Sequence, residues 1–440
     1  MSTPRQNYVQ CPCCWKRFHL SQVLWVAKHR ELKDDYFRDS EGDRTKQKRF
    51  LPERFRTDCR AIDERGEICS REFACPHCHM EIPEIYFNSK PMYVSIVGTK
   101  GSGKTFFLTA LHYRLLQNRF EEDYGLKGVS YDAALYASQN RHLEANVKML
   151  FRSLVPPDEF VTLNATEKID HAERVFFPDT NIETETWVAL PFTYILELEK
   201  RKHALCLYDC QGGFFTKQGG IGDADNIFLQ HILDSDILFF IYDPTQNECC
   251  VQDYAEKYGR QIYRDGQIDK KELVGMELEI LNPTIEEQSH LVFGAMANHI
   301  RNHADPKKGV MRDDRYAKYI CIIVTKCDAW ERCLSETTQR YLRELPRYDV
   351  ITDVSKDVER WINKHDPTFT RAVKNFAKHA KHYTYVPVSA AGRQVKRKAV
   401  GEDMYREGYD IGIEPLNPRW VDVPFLCALY PPNENEERQR

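Results

Sequence analysis

The chain has 440 residues, 29% of them charged, and a formal net charge of −4. That length accommodates two or three domains, and the near-neutral balance gives no overall drive toward nucleic acid or an anionic membrane surface. No apolar run approaches a bilayer span, and the opening MSTPRQNYVQCPCC lacks a signal-peptide core, so a cytoplasmic protein with no membrane partner is expected.

Residues 1–90 form a Cys-rich module. Of the 15 cysteines, seven lie within the first 78 residues. In a reducing compartment such clustering suggests metal, whereas scattered thiols such as Cys206, Cys210, Cys321 and Cys327, in or beside apolar strands, suggest small buried hydrophobes. Cys11-Pro12-Cys13-Cys14 and Cys75-Pro76-His77-Cys78 are two C-P-x-C turns. Each turn can aim two thiolates at one tetrahedral ion, so Cys11, Cys14, Cys75 and Cys78 are expected to form a closed, structural Zn²⁺ site. The 60 residues between the two turns exceed usual ribbon spacing. Cys13, Cys59, Cys69, His77 and His79 are spare ligands, and Cys59 with Cys69 leaves a second metal open. The charged stretch from Arg30 to Arg60 mixes both signs, which reads as a solvated face; nucleic acid is not indicated.

Pro83 and Pro91 flank the entry to a first clear strand, Met92–Val97. It runs into Gly98-Thr99-Lys100-Gly101-Ser102-Gly103-Lys104-Thr105, a full G-x-x-x-x-G-K-[ST]. A helix follows, with Phe107, Leu111 and Leu115 on one face. Such a turn folds backbone N–H groups inward around phosphates, and the helix N-terminus adds partial positive charge. Lys104 would reach the β- and γ-phosphates, and the Thr105 hydroxyl would ligate Mg²⁺. A second helical pattern carries Leu143, Val147, Leu150, Phe151 and Leu154 and stops at Pro156-Pro157. Ser153 to Pro191 shows no firm element.

Strands Phe192–Leu198 and Ala204–Tyr208 read as a hairpin. The second ends in Asp209-Cys210-Gln211-Gly212, a D-x-x-G in which Asp209 can hold the magnesium's water shell and Gly212 can sense the γ-phosphate. Ile237–Tyr242 is a wholly apolar strand. Residues 244–318 are too long and charged for a simple loop and read as an insertion with a helix around Leu291–Ile300. Tyr319–Val324 ends in Thr325-Lys326-Cys327-Asp328, an [NT]-K-x-D. The Asp328 carboxylate can accept from both N1–H and N2–H₂ of guanine, a donor pair adenine lacks. The Lys326 stem would lie on the base or ribose. Val354, Val358, Trp361 and Ile362 mark another helix. Asn363-Lys364-His365-Asp366 repeats the [NT]-K-x-D pattern, but after a helix instead of a sheet strand, which argues against a base-reading role. The last strand, Tyr383–Val388, leads to Ser389-Ala390-Ala391, where a backbone N–H can meet the guanine oxygen. Residues 431–440 read as a disordered tail. The expected fold is α/β: a mostly parallel sheet with flanking helices over 91–430, the helical insertion, and the N-terminal zinc module.

In order and position these motifs resemble the translation-factor and Ras-like class of P-loop GTPases, over roughly Tyr93–Asp243 and Tyr319–Ala391. With CPHCHMEIP just before the first strand, the chain looks like the bacterial zinc-ribbon GTPases of the "double-GTPase" clade, often discussed with defence and conflict systems. The resemblance implies a GTP-binding molecular switch using GTP, Mg²⁺ and Zn²⁺. The chain departs from the pattern at Gly213, where the class places a water-orienting Gln; Gln211 and Gln218 are nearby but not in the matching place. The switch threonine stays open among Thr162, Thr166, Thr184 and Thr186. Hydrolysis is therefore expected to be slow, or assisted by an unidentified protein partner or by self-association. The alternative is a nucleotide-binding zinc-ribbon adaptor that recruits a protein or nucleic-acid partner with little hydrolysis. A third reading, an ATP-dependent kinase, leaves Asp328 without a role.

Overall fold

The computed structural model describes residues 7–89, 91–117, 123–124, 127–131, 137–152, 161–162, 172–177, 184–198, 201–211, 225–259, 263–264, 267–268, 288–303, 316–378, 380–393, 396–399, 407–410 and 416–430. Seven strands form the main sheet: β1 Met92–Gly98, β2 Lys127–Tyr131, β3 Phe192–Leu198, β4 Arg201–Gln211, β5 Ile237–Tyr242, β6 Tyr316–Val324 and β7 Ala380–Pro387. Their spatial order is β7-β6-β5-β1-β4-β3-β2. The five strands from β7 to β4 run parallel, and β3 and β2 add antiparallel. Every residue of β5 is buried, as expected for a central parallel strand covered on both faces. The carboxyl ends of the five parallel strands therefore share one edge, where loops leave the sheet together.

Among the described residues the α-helices of seven residues or more are α1 Lys104–Leu115, α2 Ala137–Val147, α3 Asp225–Asp234, α4 Glu248–Lys257, α5 Ser289–His303, α6 Tyr348–His365, α7 Pro367–Ala377 and α8 Val423–Leu429. In α6 the buried stripe Val350, Ile351, Val354, Val358, Trp361 and Ile362 follows helical spacing. Asp366 then stops α6 and caps α7, accepting from the Phe369 N–H at 3.0 Å with Pro367 next in line. The insertion supplies α4 and α5, and α5 meets α7 through edge-on contacts of Phe293 with Phe369 and Phe376.

Two readings need revision. Between Ser153 and Pro191 the strands Ala172–Phe177 and Thr184–Ala189 pair antiparallel, and Val161–Thr162 joins a small sheet with Glu407–Asp410 and Lys396–Ala399. Each is short and half polar, so the signal lies in cross-strand pairing and not in either segment. The Cys-rich module, whose sequence shows little regular periodicity, also carries short paired strands. A hairpin (Tyr8–Gln10 with Arg17–His19) accompanies a four-stranded sheet in the order Arg49–Phe50, Leu24–Val26, Phe73–Ala74, Glu81–Ile82. Buried carboxylates tie its loops. Asp63 accepts from the N–H groups of Lys28, His29, Arg65 and Glu67 at 3.1, 3.0, 3.0 and 2.9 Å. Burial opposes its ionisation, but those donors outweigh burial and hold its pKa low.

This module packs against Tyr93, near the start of β1, and against Tyr208 beside it in β4. The Tyr208 hydroxyl donates to the Pro12 carbonyl at 2.6 Å, and that of Tyr93 to the Gln10 carbonyl at 3.3 Å. Trp15 packs on both tyrosines, with ring centroids 4.8 and 5.2 Å apart. Cys11, Cys14, Cys75 and Cys78 share one continuous buried core with the sheet. Cys206, Cys210, Cys321 and Cys327 are buried, as expected. Among the described residues no helix is long and apolar enough to cross a membrane.

Candidate functional site

The first centre is the cysteine cluster. Cys11 Sγ lies 3.6 Å from Cys78 Sγ, and Cys14 Sγ lies 3.8 Å from Cys75 Sγ. All four sulfurs fall within 4.8 Å of one another. A tetrahedron built on Zn–S bonds of about 2.3 Å has edges of about 3.8 Å, so the donors fit zinc in number, chemistry and spacing. Burial pushes the Cys11, Cys75 and Cys78 thiols well above their ordinary pKa, whereas hydrogen bonding led by Cys11 pulls Cys14 down. A dication reverses that burial cost by holding all four as thiolates.

The two turns are near copies. Cys11 N–H donates to the Lys16 carbonyl at 3.0 Å and Cys75 N–H to that of Met80 at 2.9 Å. The Cys13 and His77 N–H groups each donate to the first thiol of their turn at 3.3 Å. The residue after the second cysteine is left-handed in both, Trp15 at φ 62° and His79 at φ 57°. The spares go elsewhere. His79 Nδ1 meets Asp34 Oδ2 at 2.9 Å and its ring stacks on Tyr36. Cys69 packs with Trp25 and Phe73, and Cys59 is exposed. Among the described residues this is the one group of such ligands close enough for a metal.

The second centre lies beyond the carboxyl ends of the parallel strands. β1 ends at Gly98, and α1 starts at Lys104. Gly101 and Gly103 take φ of 72° and 86°, a region glycine enters without a Cβ clash. At Gly98 a Cβ would sit 2.8 Å from the Ile241 Cβ and 2.9 Å from the Ser102 hydroxyl, so the close approach of β5 demands glycine. Lys104 Nζ donates to the Cys210 carbonyl at 2.7 Å and pairs with Asp209 Oδ1 at 3.2 Å, joining the glycine turn to the end of β4. Thr105 is the second residue of α1, beside Lys104.

The end of β6 joins the same group. The Thr325 hydroxyl donates to the Ser102 carbonyl at 2.8 Å. Lys326, left-handed at φ 55°, donates through Nζ to Asp243 Oδ2 at 2.5 Å and to the Thr245 hydroxyl at 3.1 Å. Its head is therefore tied to the end of β5. From the end of β7 the Ser389 hydroxyl donates to Asp328 Oδ1, and Ala390 follows it in the same loop. Burial pushes the Asp328 pKa up, against the Ser389 hydroxyl, which favours the ionised form.

Gly98, Thr99, Lys100, Gly101, Ser102, Gly103, Lys104, Thr105, Asp209, Thr325, Lys326, Asp328, Ser389 and Ala390 thus come from four strand ends to one edge. Gly212, Gly213, Gln218 and Thr166 lie outside the described residues, as do 431–440. Asp366 is not part of this group: beyond capping α7, it accepts from the Tyr242 hydroxyl at 3.0 Å in the core.

Sequence reasoning missed a strap. Residues 416–421 pass over the loop after β7, with Ser389 and Arg419 exchanging backbone hydrogen bonds of 3.1 and 2.8 Å and Asn417 N–H donating to the Ala391 carbonyl at 3.0 Å. The Arg419 guanidinium pairs with Glu331 at 2.8 Å. Under the strap Gly392 has φ +79°, and a Cβ there would lie 1.9 Å from the Asn417 carbonyl oxygen. Gly392→Ala is expected to cost about 2 kcal/mol or more, read as a lowered thermal midpoint; an unchanged midpoint would mean the strap is loose. The one available signal was Gly392 itself, two residues after Ala390.

No protein-family model matches the chain, and no curated protein matches it significantly in sequence.

Proposed function

We propose that the chain is a GTP-binding molecular switch of the P-loop class, with Mg²⁺-dependent hydrolysis that is slow unless assisted. The observation that carries this reading is the linkage of four loops by three contacts: Thr325 bonded to Ser102, Lys104 paired with Asp209, and Ser389 bonded to Asp328. A carboxylate held by a hydroxyl on the neighbouring strand end is a pre-set acceptor for a base, and its tie to the glycine turn sets the base-to-phosphate span. In this reading Gly98 to Gly103 cradle the phosphates and Lys104 neutralises them. Thr105 would ligate Mg²⁺, and Asp209 would hold the ion's water shell; the ion itself supplies charge neutralisation between the outer phosphates. Lys104 already sits between Asp209 and the Cys210 carbonyl, so bound phosphate competes with partners that hold the side chain in place. Cys11, Cys14, Cys75 and Cys78 hold Zn²⁺ as a structural brace where the Cys-rich module packs on Tyr93 and Tyr208 of the sheet.

Gly213 stands where a water-orienting Gln is usual in the class, so positioning without that residue leaves turnover low; an added arginine finger is worth about 10³ to 10⁵ in rate. A low basal GTP turnover that rises with protein concentration or with a partner protein is expected, and Lys104→Ala should abolish it. GTP and ATP turnover by the purified chain, with identification of co-purifying nucleotide, tests this. ATP turned over in preference to GTP would sink the guanine assignment, and a fast, concentration-independent rate would sink the need for help.

A further inference from the structure

The one-turn helix after β5, Pro244–Gln246, presents Gln246 to the glycine turn as a two-ended clamp. The Thr99 hydroxyl donates to Gln246 Oε1 at 2.9 Å, and Gln246 Nε2 donates to the Lys100 carbonyl at 2.8 Å. The base of the clamp is itself held. Asp243, buried at the end of β5, accepts from the Thr245 N–H at 2.9 Å and the Thr245 hydroxyl at 2.7 Å, and it pairs with Lys326. One short turn therefore reaches both the glycine turn and the loop after β6.

Peptide planarity gives this clamp a consequence. In a trans peptide the carbonyl and the following N–H point in opposite directions. Holding the Lys100 carbonyl toward Gln246 fixes the Gly101 N–H on the opposite side. Left-handed Gly101, at φ 72°, has no Cβ to hold that plane by sterics, so the glutamine supplies the constraint. The neighbouring plane is fixed from within, because the Thr99 carbonyl accepts from the Ser102 hydroxyl at 2.7 Å.

We infer that Gln246 is a positioning residue for phosphate binding, aiming the Gly101 N–H by holding the Lys100 carbonyl. The inference rests on the nucleotide reading above and names a residue that none of the motifs contains. Pre-aimed donors gain affinity because no reorganisation is needed when the anion arrives.

The test uses the full chain with GTP and with inorganic tripolyphosphate, which has no base. Gln246→Met keeps the length and removes both hydrogen bonds; Gln246→Glu keeps an acceptor for Thr99 and removes the donor to Lys100. The unmodified chain is expected to bind both probes. Each variant should lose about tenfold in affinity for both, the scale of one or two hydrogen bonds, with the melting midpoint held within about 2 °C. Unchanged affinity in Gln246→Met overturns the clamp and leaves the nucleotide reading standing. A midpoint that falls along with affinity reveals a collapsed turn and also overturns it. Failure of the unmodified chain to bind GTP overturns both.

Discussion

Replacing Asp328 with Asn is expected to weaken GTP binding by about 2–4 kcal/mol without lowering the melting midpoint. The carboxylate offers two acceptor oxygens, one already engaged by the Ser389 hydroxyl. An amide puts a donor in that group, which either strands a guanine N–H or turns against Ser389. The comparison is Asp366→Asn, which touches the other [NT]-K-x-D. Asp366 caps α7 and accepts from the buried Tyr242 hydroxyl, so its loss should lower stability and not guanine preference. Titration of fluorescent GTP and ATP analogues, with melting curves for each variant, separates the two. If Asp366→Asn is the change that abolishes guanine preference, the assignment of the base loop is wrong.

The same carboxylate gives a pH dependence. Burial raises the Asp328 pKa above its unfolded value, so ionising it in the folded chain costs stability. Its contribution to stability is most favourable below the ordinary carboxylate pKa and is lost as pH rises through the folded value. On the proposed reading, guanine binding would need the ionised form and would run the other way, weakening as pH falls through the raised pKa. As pH falls toward that raised pKa, a gain in stability from this group together with weaker GTP binding is the expected combination.

Loss of the metal is expected to have the larger effect on the fold. Cys78→Ser, or stripping the ion with a strong chelator, should cost more than about 4 kcal/mol and lower the melting midpoint of the sheet together with the Cys-rich module. The reason is the shared core. Trp15 packs on Tyr93 and Tyr208, the Tyr208 hydroxyl bonds to Pro12 beside the first metal ligand, and Tyr86 meets Cys206 at 2.6 Å. Loosening the two cysteine turns removes those contacts from β1 and β4, the strands that lead to the glycine turn and Asp209. Metal analysis should find one zinc per chain. A chain without zinc as purified, or a two-step melt in which the sheet keeps its midpoint after chelation, would defeat this prediction.

The chain's own residues determine much of the carboxyl edge of the sheet without reference to packing. A wholly apolar run of six such as ILFFIY, rich in aromatic and β-branched side chains, reads as a strand covered on both sides, and the spacing from Gly98 to Lys104 needs a tight turn between strand and helix. The paired C-P-x-C turns, too, announce a shared ligand set, because one turn presents only two donors and the ion needs four. These features are legible because the constraint sits within a few consecutive residues. Tertiary structure decided the rest, where the constraint joins residues far apart in sequence. Asn363 to Asp366 shares the pattern of Thr325 to Asp328; the helical spacing before it already set it apart, but its role as the cap of α7 and the acceptor for the Tyr242 hydroxyl came only from the fold. The loops of the Cys-rich module take their shape from Asp34 and Asp63, whose charged side chains look solvent-facing until four N–H groups are seen around Asp63. Gln246 and the strap at Arg419 reach their targets across 146 and 30 residues of chain, as Gln246 to Lys100 and Arg419 to Ser389. Hydrogen bonds of that reach leave no periodicity in either segment, so only the folded sheet brings their two ends together.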